Sequence, residues 1–544
     1  MLGKTLLEAS MKNNPNRFWL IVILLGWAFD FLFWKKPGVG INFFLYVSLC
    51  LGTGIYLLKS DGLRLAPRSS LLLLPIAFLS AVTFLRQEPM TTFLSVAMTL
   101  FLMGVFALTY RGGQWMNFSL LDYLLGYLRL LGSMLLRPLG FSAEVKRDQP
   151  SRSEKRGGQV WSVVRGIVIA LPVVAIFASL LSSADLVFEE RFTAFIALFN
   201  IENLPEYIFR LVYILAAAYA LAGTYLHAAQ KSDEPLTGKP LVPAFLGFTE
   251  TAIVLGSVTA LFAAFVVIQF QYFFGGQANI NIEGYTYSEY ARRGFGELVA
   301  VAFFSLLMLL GLGAIAKREN ETQRKIFSGF GVALVALVIV MLVSAFQRLT
   351  LYEFAYGFSR LRTYTHVFMI WLGLLLAVVA VLEALRRERA VALAMVLAAL
   401  GFVISLGVLN VDAFIVRQNV QREAQGGGAP AAQDRAALDA AYFLTLSDDA
   451  VPAMADAFSA PSLPLDVREK IGAALVCKRH VRALDERAIP WQAFHISRYL
   501  ADLRYKELEA ALASYTLLDK QDRGVFVKTP GGEEFDCWGD AYRD

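Results

Sequence analysis

Tyr, Arg, Glu and His gather in two short segments, YTYSEYARRGFGEL (Tyr285 to Leu298) and RLTLYEFAYGFSRLRTYTH (Arg348 to His366). A guanidinium grips carboxylate or phosphate oxygens through its planar fork, and a tyrosine hydroxyl adds a further hydrogen bond. In the first segment Glu289, Arg293 and Glu297 recur every four residues, with Tyr287, Tyr290 and Arg292 beside them. Glu289 ahead of Arg293 is the favourable order for an ion pair along a helix. In the second, Tyr352, Tyr356, Arg360 and Tyr364 keep the same interval and would form one stripe on a continuous helix. Glu353, Arg362 and His366 accompany them, and a lone membrane histidine such as His366 is more often a hydrogen-bonded packing residue than a switch. Two readings compete. Either the segments neutralise charge and anchor helix ends at a bilayer edge, or their arginines bind an anionic lipid or a small anionic ligand. The structural reading leads in both. Expected partners for Arg360 are Glu353, Glu297 or a ligand, in one Arg/Tyr/Glu cluster shared by the eighth to tenth spans.

Other carboxylates are Asp185, Glu189 and Glu190 in SADLVFEERF and Asp412 in LNVDAFIVRQN, expected with Gln269 and Gln271 to line one cavity. Asp30, Glu250 and Asp185 are the candidate intramembrane ionisable groups, each a proton or ion site or a partner for a neighbouring helix. No phosphate-binding loop, dinucleotide fingerprint, HExxH or GxSxG motif is present. No catalytic residue, cofactor or metal site is nominated, since Cys477 beside His480 falls short of the three or four ligands zinc needs.

The elements that must position these groups are long apolar runs. Of 544 residues 57% are hydrophobic and 17% charged, and mean hydropathy is +0.53. About eleven runs are long enough to cross a hydrocarbon core as helices. They are Phe18 to Trp34, Ile41 to Leu58, Ser70 to Leu85, Met90 to Tyr110, Trp161 to Val187, Tyr207 to Ala229, Gly247 to Phe274, Phe295 to Ala316, Ile326 to Phe346, Thr363 to Leu385 and Val391 to Val416. The fold class is all-α, a polytopic membrane bundle with a small α-helical soluble domain at the C-terminus. The first run carries Asp30 and no small-residue cleavage site, which argues against a removable signal peptide.

Lys and Arg concentrate in alternate connections, among them Lys59, Arg64, Arg68, Lys317, Arg318, Arg324, Lys325, Arg386, Arg387 and Arg389. That bias places the N-terminus in the cytoplasm and the tail outside. Nucleic acid is not an expected partner, because no continuous basic stripe forms. Gln114 to Phe141 reads as an amphipathic helix in the interface, with a buried core helix as the alternative. The expected divisions are residues 1–110 (four spans), 111–160 (amphipathic helix and basic linker), 161–416 (seven spans), 417–434 (flexible linker) and 435–544 (extracytoplasmic helical domain). Cys477 and Cys537 both fall in the tail, where a disulfide and two free thiols are both open.

SADLVFEERF, YTYSEYARRGFGELVAVA, YEFAYGFSRLRTYTHVFMIWL and LNVDAFIVRQNVQR, in that order, resemble the bacterial membrane family called domain of unknown function 4173. The resemblance covers roughly Trp161 to Arg422, and the tail segment WQAFHISRYLA is similar to one in longer members. It implies a multi-spanning protein without an assigned activity and transfers no catalytic residue. Three function classes follow: a scaffold or regulator whose tail contacts a protein partner, a transporter with an outward-facing Arg/Tyr/Glu site, and a transferase acting on a lipid-linked substrate. The first leads, and the bilayer itself is the one partner every class shares.

Overall fold

The computed structural model describes residues 14–36, 38–148, 203–230, 244–273, 295–387, 389–426, 437–484, 489–520 and 524–538, with scattered positions between 174 and 191. Ten helices among them are long and apolar enough to cross a membrane. The chain is a polytopic, predominantly α-helical membrane protein. The expected span Trp161 to Val187 lies largely outside the described residues, as does the ladder from Tyr287 to Arg293.

The spans are α1 (Pro15–Phe33), α2 (Ile41–Ser60), α3 (Leu73–Leu85, entered through the short turn Pro67–Ser70) and α4 (Pro89–Thr109). A 29-residue helix, α5 (Leu120–Asp148), follows. Then come α6 (Leu204–Ala228), α7 (Phe248–Phe273), α8 (Phe295–Ile315), α9 (Glu321–Tyr356), α10 (Arg360–Ala384) and α11 (Ala390–Leu409). α9 has 36 residues. At 1.5 Å per residue that is about 54 Å, longer than the hydrocarbon is thick, so its polar ends stand clear of the bilayer core.

α5 packs against three spans. Its Tyr127 hydroxyl donates to the Phe101 carbonyl of α4. Phe141 meets Phe18 of α1 edge-on at 5.4 Å. Against α6 the backbones nearly touch: a Cβ on Gly223 would sit 2.4 Å from Met134 Cα. Small residues permit such approach where lipid supplies no hydrophobic driving force between helices. The other face exposes Leu121, Leu124, Leu128, Leu131, Leu135 and Leu139. α5 is therefore half-packed, with one face on the spans and a leucine face bare of protein among the described residues.

One expected continuity is broken and one expected break is bridged. Asn410 adopts φ 52°, ending α11 and starting α12 (Val411–Gly426), so the last run is a span followed by a second helix. α12 also carries helix into the stretch expected to be a linker. Asn419 accepts from the Phe358 N–H at 2.6 Å and donates to its carbonyl at 3.0 Å, and Arg422 donates to the Ala355 carbonyl at 2.9 Å. These bonds clamp α12 to the α9–α10 turn, which composition alone does not reveal.

The tail is α+β rather than wholly helical. α13 (Val451–Ser459), α14 (Leu465–Leu484) and α15 (Ile496–Glu507) pack around Met454, Ile471, Ala474 and Ala501. After them, β1 (Thr516–Lys520), β2 (Gly524–Lys528) and β3 (Glu534–Asp536) form an antiparallel sheet in that order, with Leu517 opposite Val527 and Val527 opposite Phe535. The signals were there: GVFVK alternates, and Thr529-Pro530-Gly531-Gly532 turns the chain with Gly532 at φ 92°. Cys477 of α14 and Cys537 beyond β3 form a disulfide, Cα atoms 5.1 Å apart. It ties the sheet to the helices.

Candidate functional site

The second polar segment does not form one stripe. Gly357 takes φ 84° and its N–H bonds the Glu353 carbonyl at 2.7 Å, closing α9 before α10 starts at Arg360. A residue with a side chain would be strained there, and a Cβ would also meet Asn419 Oδ1 at 2.6 Å. Tyr352 and Tyr356 thus end one helix, while Arg360 and Tyr364 begin the next.

Arg360 points to neither Glu353 nor Glu297. Its Nε and Nη2 donate to the two oxygens of Asp412 at 2.8 and 2.6 Å, a bidentate pair between α10 and the first turn of α12. Asp412 also accepts the Ser447 N–H at 2.6 Å, and the Tyr442 hydroxyl accepts the Arg360 N–H at 2.9 Å. Tyr364 donates to Glu88, the N-cap of α4, which also takes the Met90 and Thr91 N–H groups at 2.9 and 2.7 Å. Arg360 Nε lies 4.0 Å from Glu88. Glu88 and Asp412 are both buried.

The tail supplies the third carboxylate. Asp449 accepts the Gln87 and Glu88 N–H groups at 2.7 and 3.0 Å and the hydroxyls of Ser447 and Ser497. Ser497 donates as well to the Leu85 carbonyl at 2.8 Å. Arg86 approaches Asp449 at 4.0 Å and bonds the Gly407 carbonyl with Nε at 3.0 Å. Three carboxylates and two guanidiniums therefore join the ends of α3, α4, α10, α11 and α12 to the tail. Burial pushes the Asp449 carboxyl above its ordinary value, with the Ser497 hydroxyl and the Gln87 N–H working against it. Burial pushes the nearby Lys478 ammonium down, although it donates to the Leu446 carbonyl at 2.5 Å. His495, buried between the tail and the turn at Gly40, is lowered by burial.

Several of the other nominated groups have partners among the described residues. Asp30 receives Arg210 Nε and Nη2 at 3.0 and 2.5 Å, joining α1 to α6, and Trp34 and Lys35 at the end of α1 bond Glu206. His366 meets the buried Glu353 at 3.2 Å, and Arg362 lies 4.1 Å over the Tyr352 ring while donating to the Gly357 carbonyl. Glu250 accepts the Gly247 N–H at 2.8 Å, capping its own helix in the reach-back geometry of a capping box. Asp185 accepts the Phe188 N–H at 3.4 Å, a local turn contact. Glu297 is exposed in the first turn of α8. Tyr287, Glu289, Tyr290, Arg292 and Arg293 are outside the described residues.

Sequence reasoning missed Glu88, Asp449, Ser497 and Arg210. A signal existed for Glu88: an acceptor directly before Pro89 marks a helix start. Ser447-Asp448-Asp449 carries only a turn signal in the sequence. No pattern connects Asp449 with Gln87, since they are 362 positions apart.

A family model for a domain of unknown function, DUF4153, matches residues 73–457. It replaces the family suggested by the sequence resemblance, domain of unknown function 4173, and no curated protein or solved structure matches. The match runs from α3 into α13 and takes in Glu88, Arg360, Tyr364, Asp412, Tyr442, Ser447 and Asp449. This chain belongs to the family of the domain of unknown function DUF4153.

Proposed function

We propose that the protein is a membrane scaffold or regulator of a bacterial inner membrane, with the N-terminus in the cytoplasm and the docked tail outside, where it meets a protein partner. The carrying observation is how the ionisable groups named next, all among the described residues, are bonded. Arg360, Asp412, Glu88 and Asp449 bond one another and backbone groups across the tail contact, and Asp30 and Glu353 are held by Arg210 and His366. A transporter or transferase would need such groups turned toward a cargo or a reacting bond.

The orientation is supported by charge. Lys35, Lys36, Arg86, Arg360 and Arg362 lie in or beside connections on the side of the tail, whereas Lys59, Arg64, Arg68, Arg111, Lys317, Arg318, Arg324, Lys325, Arg386, Arg387 and Arg389 lie in or beside connections at the opposite ends of the spans. A disulfide in the tail agrees with an oxidising compartment. The exposed leucine face of α5 suits a helix resting in the cytoplasmic interface.

Deletion of residues 437–544 tests the reading. A scaffold loses its cellular phenotype and a partner crosslinked to the tail in intact cells, while Glu353→Gln and Asp30→Asn retain both. If the deletion is silent and either carboxylate change abolishes ion-dependent uptake in vesicles, the transporter reading replaces it.

A further inference from the structure

One surface of the tail serves none of the contacts above. The 3-10 turn Trp491–Ala493 sits at the depth of the last helical turns of the spans rather than above them. Gln492 Nε2 lies 3.5 Å from the Phe31 carbonyl, inside the last turn of α1. The Ile41 N–H at the start of α2 donates to the Phe494 carbonyl at 3.1 Å, and Ser497 reaches Leu85 at the end of α3. A Cβ on Gly40 would come within 2.8 Å of the Phe494 carbonyl. The segment is thus sunk to the rim of the bundle.

Gln492 and Ala493 are buried there, but the aromatic side chains on either side of them face outward. Trp491 is 54% exposed and Phe494 40%. Along α15, Ser497, Ala501 and Tyr505 turn into the protein, while Tyr499, Leu500 and Leu503 stay exposed on another face. The Trp491 ring lies 6.2 Å from Phe31, which stacks on Trp27 at 5.6 Å. Trp27 and Phe31 are themselves exposed on a membrane-spanning helix, at 55% and 45%. An exposed aromatic ladder therefore climbs from the lipid-facing side of α1 onto the tail without interruption.

We infer that Trp491, Phe494, Tyr499, Leu500 and Leu503 form an interfacial anchor that seats the tail in the headgroup region of the leaflet on its own side. The occupant of this surface is phospholipid. Continuity with a face that lipid must already cover selects it over a protein partner, and Trp and Tyr are the types that gain most at the boundary between hydrocarbon and water. The anchor is independent of the scaffold reading, since a transporter would seat its tail in the same way.

The test uses the full chain with Cys50→Ala, which leaves the disulfide in place, reconstituted in phosphatidylcholine–phosphatidylglycerol vesicles. A fluorescent reporter is attached to a single cysteine, Phe494→Cys or Leu500→Cys, with Asp502→Cys as the water-facing control on the same helix. Reporters at 494 and 500 should be quenched severalfold more by headgroup-depth doxyl lipids than by iodide, and the reporter at 502 the reverse. Trp491→Cys repeats the measurement if Phe494→Cys does not fold. Equal iodide access at 494, 500 and 502 overturns the anchor. So does shielding from both quenchers at 494 and 500, which would mark a second copy of the chain on that surface.

Discussion

Asp412 takes both donating nitrogens of Arg360 and a backbone N–H, and it is fully buried. Removing one member of such a pair strands the other charge. Asp412→Ala should therefore cost roughly 3–5 kcal/mol, whereas Arg360→Met with Asp412→Leu should recover much of that loss. Thermal unfolding of the purified protein, with proteolysis of the tail as a second readout, checks both. His495 gives the docking a pH dependence. Its value is lowered below the ordinary 6.5, so the docked tail takes up a proton less readily than the free one. The stabilisation is fully present above 6.5 and is lost as pH falls from there through the lowered value. Asp449 acts in the opposite sense: its raised carboxyl favours docking as pH falls toward its ordinary 3.8. Protease susceptibility of the tail should thus rise on mild acidification, and His495→Gln should remove that rise. An unchanged profile in the variant would assign the effect elsewhere.

Helices and their ends were legible to different degrees. The apolar runs set the spans because hydrocarbon thickness leaves few alternatives to a helix of that length. The ends depended on long-range contacts. The four-residue spacing of Tyr352, Tyr356, Arg360 and Tyr364 suggested one helix, and Gly357 broke it because α12 lies too close for a side chain. The glycine was visible in the sequence; Asn419, which makes it necessary, was not identifiable as its neighbour. Gly357→Val should cost about 2–4 kcal/mol, combining positive-φ strain with the clash. Gly223 offers a cleaner probe of element packing. Gly223→Val should loosen α5 from α6 while leaving the spans in place, and a cysteine crosslink between Leu135 and Tyr219, whose hydroxyl donates to the Leu135 carbonyl, should weaken accordingly.

For the whole molecule, sidedness is the property on which the proposed function rests. An impermeant thiol reagent on intact cells, with Cys50→Ala as background, should label Ser462→Cys on the exposed tail and spare Ser60→Cys at the end of α2. The reverse pattern would invert the assignment. The composition announced the membrane class, yet the tail was read as a tethered module because its linker is polar and its contacts lie hundreds of residues upstream. The docked arrangement also has a consequence in time. Glu88 and Asp449 are bonded across 361 positions, and a ribosome adding 5–20 residues per second needs roughly 20–70 s to make that stretch. During that interval the carboxylate that will receive the Gln87 and Glu88 N–H groups has not been synthesised. Those two donors need another acceptor until the tail arrives, and water at the membrane surface can supply it.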